Sequence, residues 1–289
     1  MKVSIASGKG GTGKTTISTN LAIYISEYKK DPTVLVDLDV EEPNSGIFIK
    51  GETINSQMEK RKIPEWTKIQ CINCGKCQEL CNFNAIVSLP NNVMIFPELC
   101  HGCYACADLC PTNALKMIDR EMGKLTHKRV RNLNFIDSNL NIGEEQAVPL
   151  IKKTQEYVDL KFSDKYLKLY DSPPGTSCPV IEVAKASDFI ILVAEPTPFG
   201  FHDMKLSIQT MKELEKEFAV IINRYGLGYN KIENYLKKEN IPVITKIPNL
   251  KEAARSYSKG NILFKDIPEL KFNFEEIYKY IKKLEVNDE

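Results

Sequence analysis

Residues Gly8-Lys9-Gly10-Gly11-Thr12-Gly13-Lys14-Thr15-Thr16 follow a strand-like run, Val3 to Ser7, and lead into a helix-patterned segment, about Thr15 to Glu27. They fit the pattern GxxxxGK[ST], whose glycines let the backbone wrap so that several N–H groups converge on phosphate oxygens. The positive end of the following helix adds to that attraction. Lys14 is then placed to reach the β- and γ-phosphates of ATP, and the Thr15 hydroxyl to bind Mg²⁺. A second apolar run, Thr33 to Asp37, completes the opening βαβ unit of a parallel sheet. An α/β fold on a mostly parallel sheet is expected.

Eight of the nine cysteines fall in two runs, Cys71-x2-Cys74-x2-Cys77-x3-Cys81-Asn82 and Cys100-x2-Cys103-x2-Cys106-x3-Cys110-Pro111. In CxxCxxCxxxC, three cysteines wrap one corner of a cubane and the fourth points to the other cluster. The expected ligand sets are therefore crossed: Cys71, Cys74, Cys77 and Cys110 on one 4Fe-4S cluster, Cys100, Cys103, Cys106 and Cys81 on a second. Zinc also uses CxxC pairs, but eight cysteines in this phase favour the two clusters. Asn82 stands where ferredoxins often have proline, which removes a rigid φ without removing a ligand. Grouped cysteines of an intracellular chain are metal ligands more often than disulfides. Two clusters in a small module suit the passage of single electrons.

Between about Ile63 and Ile118 the sequence turns to short loops, two repeated half-motifs and little helical periodicity, which reads as an insertion. Alternating patterns then return: a helix near Val148 to Val158, strands Leu167 to Tyr170 and Phe189 to Val193, a helix near Asp203 to Glu217, and strands Ala219 to Ile222 and Val243 to Ile247. The economical organisation is a discontinuous P-loop domain, residues 1–62 and 119–289, interrupted by a small α+β domain of bacterial-ferredoxin type at 63–118. Glu121 to Glu145 is expected to form a short hairpin followed by a loop. Near the end, Phe274, Ile277, Ile281 and Leu284 recur at helical spacing. Their acidic neighbours Glu275, Glu276, Glu285, Asp288 and Glu289 favour a packed helix over a membrane-surface one.

Lys plus Arg at 39 against Asp plus Glu at 38 leaves no basic field of the kind that drives nucleic-acid binding, so no nucleic-acid partner is expected. The longest apolar runs, such as Phe189 to Ala194, fall far short of the ~20 residues that span a bilayer, and no stable membrane association is expected. Met1 leads directly into the first strand with no charged leader or cleavage site, so a cytoplasmic location is expected.

Lys9, early in KGGTGKTT, narrows the family. That loop, Val36-Asp37-Leu38-Asp39, Asp171-Ser172-Pro173-Pro174-Gly175-Thr176-Ser177-Cys178-Pro179 and Glu195-Pro196-Thr197-Pro198-Phe199-Gly200-Phe201-His202-Asp203 together resemble the MinD/Mrp superfamily of P-loop ATPases. The resemblance is to its deviant Walker A branch, which includes the nitrogenase iron protein, in the form that carries an inserted ferredoxin domain. It implies ATP hydrolysis by a homodimer in which Lys9 reaches the partner's nucleotide. It also implies that Asp39 orients the attacking water, that Asp171 acts on Mg²⁺ through water, and that Asn223 reads the adenine edge. Cys178 lies seven residues after Asp171, where the nitrogenase iron protein has a cluster ligand. It is expected either to bind a transient or dimer-bridging cluster or metal, or to pack the turn as a small residue. His101, His127 and His202 form no ligand pattern, although His101 falls inside the cysteine module.

Two functions are compatible with that resemblance. The first is an ATP-gated redox protein that serves a partner redox protein. The second is an ATP-dependent carrier or scaffold for an iron–sulfur or metallocentre client, with Cys178 as a transient ligand.

Overall fold

Apolar runs of five or six residues, too short for helices and bounded by turn formers, become central strands of a sheet that longer strands extend. The computed structural model describes residues 1–287, so Asp288 and Glu289, counted above with the acidic residues of the last helix, lie outside the described residues. In chain order the elements are β1 (Lys2–Ala6), α1 (Lys14–Tyr24), β2 (Thr33–Asp37), α2 (Ser45–Phe48), β3 (Glu52–Trp66), α3 (Lys76–Glu79), β4 (Ile86–Leu89) and β5 (Asn92–Ile95). They continue with α4 (Ala105–Asp108), β6 (Leu115–Val130), β7 (Leu133–Leu140), α5 (Ala147–Lys161), β8 (Leu167–Asp171), α6 (Cys178–Lys185), β9 (Phe189–Ala194) and α7 (Pro198–Glu213). The last are β10 (Phe218–Tyr225), α8 (Lys231–Lys238), β11 (Val243–Pro248), α9 (Lys251–Ser258), α10 (Leu263–Asp266) and α11 (Lys271–Asn287).

The strands are ordered β11-β10-β9-β1-β8-β2-β7-β6-β3. The pairings of β1 with β8 and β9, of β2 with β7 and β8, and of β10 with β9 and β11 are all parallel, which gives the mostly parallel α/β class expected. Two compact units are formed: Met1–Ser56, Leu125–Asn139 and the chain from Ile151 onward make the first, Gln57–Lys124 with Leu140–Leu150 the second. β3 runs through residue 62 and β6 through residue 119 without a break, so both points fall inside strands.

In the first unit the uninterrupted apolar run of β9 has a physical reason, because both faces of the strand are covered. Phe189, Ile191 and Val193 join a core with Ile17 and Leu21 of α1 and Phe274, Ile277 and Ile281 of α11. Ile190, Leu192 and Ala194 join a second core with Met204, Ile208 and Met211 of α7 and Ile232 and Leu236 of α8. Strands buried on two sides lose the polar alternation of a half-exposed sheet. The stripe of α11 is thus spent on the core, with Phe274, Ile277 and Ile281 at most 1% exposed. Among the described residues, no helix is long and apolar enough to cross a membrane. The hairpin within 121–145 is longer than the short one expected, because β7 carries fully buried Leu133, Phe135 and Ile136 and docks along β2.

The second unit is built on a repeat. Every cysteine of the second run stands 29 positions after its counterpart in the first. Left-handed backbone recurs at the same offsets, at Asn73 and Gly102, Gly75 and Tyr104, and Asn84 and Asn113. Asn and Gly tolerate this conformation best, and it curls each run around its own sulfurs. β4 and β5 pair antiparallel, Ile86 opposite Ile95. Small apolar clusters fill the interior: Ile86, Val93, Cys106 and Leu115 in one, Ile63, Ala85 and Cys100 in the other.

Candidate functional site

Open α/β sheets place ligands beyond the C-terminal ends of their strands, and the first unit keeps its polar residues there. The loop after β1 carries left-handed glycines at Gly11 (φ 75°) and Gly13 (φ 99°). A Cβ on Gly8 would come within 2.2 Å of the Asp203 carbonyl oxygen, and one on Gly13 within 2.3 Å of Asn223 Nδ2, so both positions require glycine. Gly10 and Gly11 face open space instead, leaving the cradle free for a ligand's phosphates. An open cleft is lined by Gly10, Gly11, Gly13, Lys14, Thr15, Thr16, Asp39, Pro174, Asn223 and Arg224, together with Pro248 at the end of β11 and Asn249 and Leu250 before α9. The cradle and its lysine therefore fit a nucleoside polyphosphate.

Strand register assembles the acidic side of the first unit's site. Asp37 at the end of β2 is the register partner of Asp171 on β8 and of Asp137 on β7. Asp37 and Asp171 are buried to within 1%. Asp37 accepts the Asp39 N–H at 3.1 Å and the Ser45 N–H at 2.9 Å, which pins the segment after β2. Asp171 accepts the Ser18 hydroxyl at 3.0 Å on one oxygen and the Ser45 hydroxyl at 3.0 Å on the other, with the Thr15 hydroxyl a further partner. Burial raises the pKa of both carboxyls, and their mutual repulsion lifts Asp37 further, while hydroxyl bonds and Lys14 oppose the rise at Asp171. Asp39 faces the cleft; burial pushes it up to about 6 against the pull of Lys14. Lys14 is itself lowered by burial, with Asp171, Asp39 and Asp37 opposing. A cation set against hydroxyl-bonded carboxylates beside Thr15 is a donor set suited to Mg²⁺ and phosphate.

Lys9 lies 3.6 Å from Glu195 Oε2, and Arg224 lies 3.4 Å from the other oxygen of the same carboxylate. Asn223 donates to the Thr12 carbonyl at 2.7 Å and lines the cleft. Cys178 is exposed at the first position of α6. The residues that sequence reasoning did not single out are Ser18, Ser45 and Asp137. Only folding brings these polar side chains to the strand ends.

In the second unit the cysteines line two cavities. One is bordered by Cys71, Cys74, Cys77 and Cys110 with Trp66 and Ile72. The other is bordered by Cys81, Cys100, Cys103 and Cys106 with Phe83, His101 and Tyr104. The His101 ring stacks on Phe83 with centroids 3.7 Å apart. Among the described residues, no three His, Cys, Asp or Glu close around a single ion. Four sulfurs border each cavity, a donor set of the kind that holds an iron–sulfur cluster.

Backbone N–H groups point at the sulfurs in the same way in both halves of that unit: Asn73 to Cys71 and Gly102 to Cys100 at 3.4 Å, Ala85 to Cys81 at 3.3 Å and Ala114 to Cys110 at 3.2 Å. Such bonds favour the thiolate and tune a bound cluster's potential. At Cys110 burial pushes the pKa up, but bonds from Thr112 and Ala114 outweigh it and the net shift is downward. Burial raises Cys77 and Cys100, and raises Cys106 to about 11 with help from neighbouring cysteines. The loop of Cys100 is fixed by buried Arg61, which donates to the carbonyls of Cys100 and Pro97 and pairs with Glu144 at 2.8 Å.

A family model described as the CobQ/CobB/MinD/ParA nucleotide binding domain matches residues 3–264. The chain is 30% identical over 284 residues to the uncharacterized protein MJ0579 of Methanocaldococcus jannaschii, with 97% of each chain covered. It is 46% identical over 52 residues to the polyferredoxin protein MvhB of Methanothermobacter thermautotrophicus, which is 18% of this chain and 12% of that one. To the iron-sulfur cluster carrier protein of Pyrococcus horikoshii it is 22% identical over 308 residues, covering 98% of this chain and 86% of the other. Among solved structures, the septum site-determining protein MinD of Pyrococcus horikoshii, complexed with Mg-ADP, shares the fold with a TM-score of 0.60 at 19% identity, covering 98% of this chain and 96% of that one. A phosphate-binding loop on a parallel sheet, matched by the family model over nearly its whole length, makes this chain a member of the CobQ/CobB/MinD/ParA nucleotide-binding domain family.

Proposed function

We propose that the protein is a cytoplasmic ATPase that couples its nucleotide state to electron transfer through two 4Fe-4S clusters. The observation that carries this reading is the pair of cavities, each bordered by four cysteines, in the same chain as a complete phosphate cradle. Cys71, Cys74, Cys77 and Cys110 hold one cluster; Cys81, Cys100, Cys103 and Cys106 hold the other. Bound there, the clusters would take up and release single electrons. Residues 63–118 are proposed as the cluster domain and 1–62 with 119–289 as the ATPase domain.

In the cleft, Lys14 and the N–H groups of Gly8 to Thr16 bind the phosphates, Thr15 would hold the magnesium ion with Asp171 acting on it through water, and Asn223 reads the adenine edge. Asp39 orients the attacking water. Lys9 leaves Glu195 and reaches the nucleotide of a second copy, so the working form is a homodimer. Its partner is a redox protein that docks on the cluster domain.

Anaerobic redox titration followed by electron paramagnetic resonance tests the coupling, with and without ATP, on wild type and Lys14→Ala. A nucleotide-dependent potential or electron-delivery rate, lost in Lys14→Ala, is expected. Clusters that ignore ATP in both respects would refute the gating.

One observation favours a second reading, an ATP-dependent carrier for clusters or metallocentres: Cys178 is exposed and borders neither cysteine cavity. Similarity over 98% of the chain to an iron-sulfur cluster carrier protein supports it. Cys178→Ser separates the two. Delivery of a cluster to an apoprotein fails under the carrier reading, while electron transfer survives.

A further inference from the structure

The repeat inside the cysteine unit allows a position-by-position comparison, because each half ties a strand end to its fourth cysteine in the same way. In one half the Thr67 N–H donates to the Ala114 carbonyl at 2.8 Å, and the Ala114 N–H donates to Cys110 Sγ at 3.2 Å. The same two bonds recur in the other half, where the Phe96 N–H donates to the Ala85 carbonyl at 2.8 Å and the Ala85 N–H to Cys81 Sγ at 3.3 Å. Thr67 and Phe96 are 29 positions apart, the offset of the cysteines themselves. The residues just before them therefore hold equivalent places, Trp66 at the end of β3 and Ile95 at the end of β5.

Packing does not explain why one of the two is an indole. Both rest on the same apolar group, Ile86, Val93, Cys106 and Leu115. Isoleucine fills its place there with carbon alone, whereas the indole brings a donor. Trp66 Nε1 is buried and has no hydrogen-bond partner among the described residues. A buried indole N–H ordinarily finds an acceptor, and these aliphatic neighbours offer it no oxygen. Trp66 borders the cavity of Cys71, Cys74, Cys77 and Cys110, while Ile95 borders neither cavity. The acceptors at hand are the sulfurs of that site.

We propose that the Trp66 indole N–H donates a hydrogen bond to a sulfur of the cluster held by Cys71, Cys74, Cys77 and Cys110, and so makes the two centres of the repeat unequal in potential. The proposal rests on the cluster reading. Reduction adds one electron to a cluster, so a donor to its sulfurs stabilises the reduced form more than the oxidised form and raises the potential. The backbone donors to Cys110 and Cys81 match between the halves and supply no such difference. Trp66 has no counterpart in the second half.

Trp66 is the sole tryptophan, so an isotope or an analogue supplied as tryptophan marks this one position in the full chain. Anaerobic redox titration followed by electron paramagnetic resonance compares the cluster-loaded protein with one carrying the benzothiophene analogue, which keeps the shape of the indole and lacks its N–H. Loss of the bond should move the reduction equilibrium of one cluster about tenfold toward the oxidised form, a fall of about 60 mV for a one-electron couple, and leave the other cluster in place. Trp66→Phe, which keeps an aromatic ring without the donor, should give the same fall. In the wild-type chain with ¹⁵N-indole tryptophan, electron–nuclear double resonance on the reduced protein should show a nitrogen coupling and an exchangeable proton. Both should belong to the centre whose signal Cys110→Ser removes. Potentials that stay put, potentials that fall equally at both centres, or the absence of the nitrogen coupling overturn the hydrogen bond and leave the cluster reading standing. A wild-type chain that takes up no iron and sulfide overturns the cluster reading and the hydrogen bond with it.

Discussion

Replacing Arg61 by Leu should selectively loosen the unit that carries the cysteines. The Arg61 side chain is 7% exposed and pairs with Glu144, which is 3% exposed. The guanidinium reaches that carboxylate through Nε at 3.2 Å and Nη2 at 2.8 Å, and also donates to the Pro97 and Cys100 carbonyls. Removing one partner of a buried pair costs about 3–5 kcal/mol. Arg120 still holds Glu144 at 2.8 Å, which moderates the loss, while the two carbonyls left without a donor add to it at about 1 kcal/mol or more each. A total near 4 kcal/mol follows, and with a urea slope of about 2 kcal/mol/M the midpoint should fall by roughly 2 M.

Trp66 is the sole tryptophan and packs in the core of this unit, so its fluorescence reports the local transition while far-UV circular dichroism reports the whole chain. The fluorescence transition should move to lower urea, with a smaller shift in the dichroism. Arg61→Lys should fall in between, since an ammonium cannot reproduce the fork. Glu144→Gln combined with Arg61→Leu should cost less than the two single changes added together. A fluorescence midpoint within about 0.3 M of wild type would refute the assignment of Arg61 as the anchor of the Cys100 loop.

Cys110→Ser should abolish the paramagnetic signal of the cluster assigned to Cys71, Cys74 and Cys77, and Cys81→Ser that of the other; the reverse outcome would show uncrossed ligation. Gly13→Ala forces a side chain onto φ 99° and within 2.3 Å of Asn223, so nucleotide affinity by calorimetry should fall about tenfold or more, with partial recovery in Gly13→Ala/Asn223→Ala. Asp39 is raised to about 6 by burial against the pull of Lys14, so ATP turnover that needs its carboxylate should fall about tenfold per pH unit below that value, and Asp39→Asn should flatten the profile. The sign for stability is opposite: between the unfolded value of 3.8 and about 6 the folded state alone keeps the proton, so this group's contribution declines as pH rises through that window.

Local patterns were legible in the sequence. The phosphate loop, the cysteine runs and the strands of the first unit depend on neighbours a few residues away, and both faces of β9 announce their burial by unbroken apolarity. What depends on distant pairing was hidden. The row Asp137, Asp37 and Asp171 exists only through the register of β7, β2 and β8, and Arg61 meets Glu144 across 83 positions. β3 escaped recognition because the buried positions of its alternation include Glu59 and Arg61 besides Ile63, so a period of two was masked by charge. α2 is a single turn, too short for any periodicity to mark it. Ser45 therefore looked like an ordinary loop residue.

The exchange of the fourth cysteine between the two halves bears on how the protein matures. Each cavity is closed by a residue from the other repeat, Cys110 for the first and Cys81 for the second. Once filled, each would act as a cross-link closing a loop of several dozen residues, and the two loops overlap. By the chain-entropy relation used for disulfides, a closure of that size removes roughly 4 kcal/mol of freedom from the unfolded chain. Small apolar interiors of a few side chains gain much from such cross-links. Under the cluster reading proposed above, metallation would be the closing step of this unit's folding, and oxidative loss of either centre would free a cysteine that the neighbouring repeat supplied.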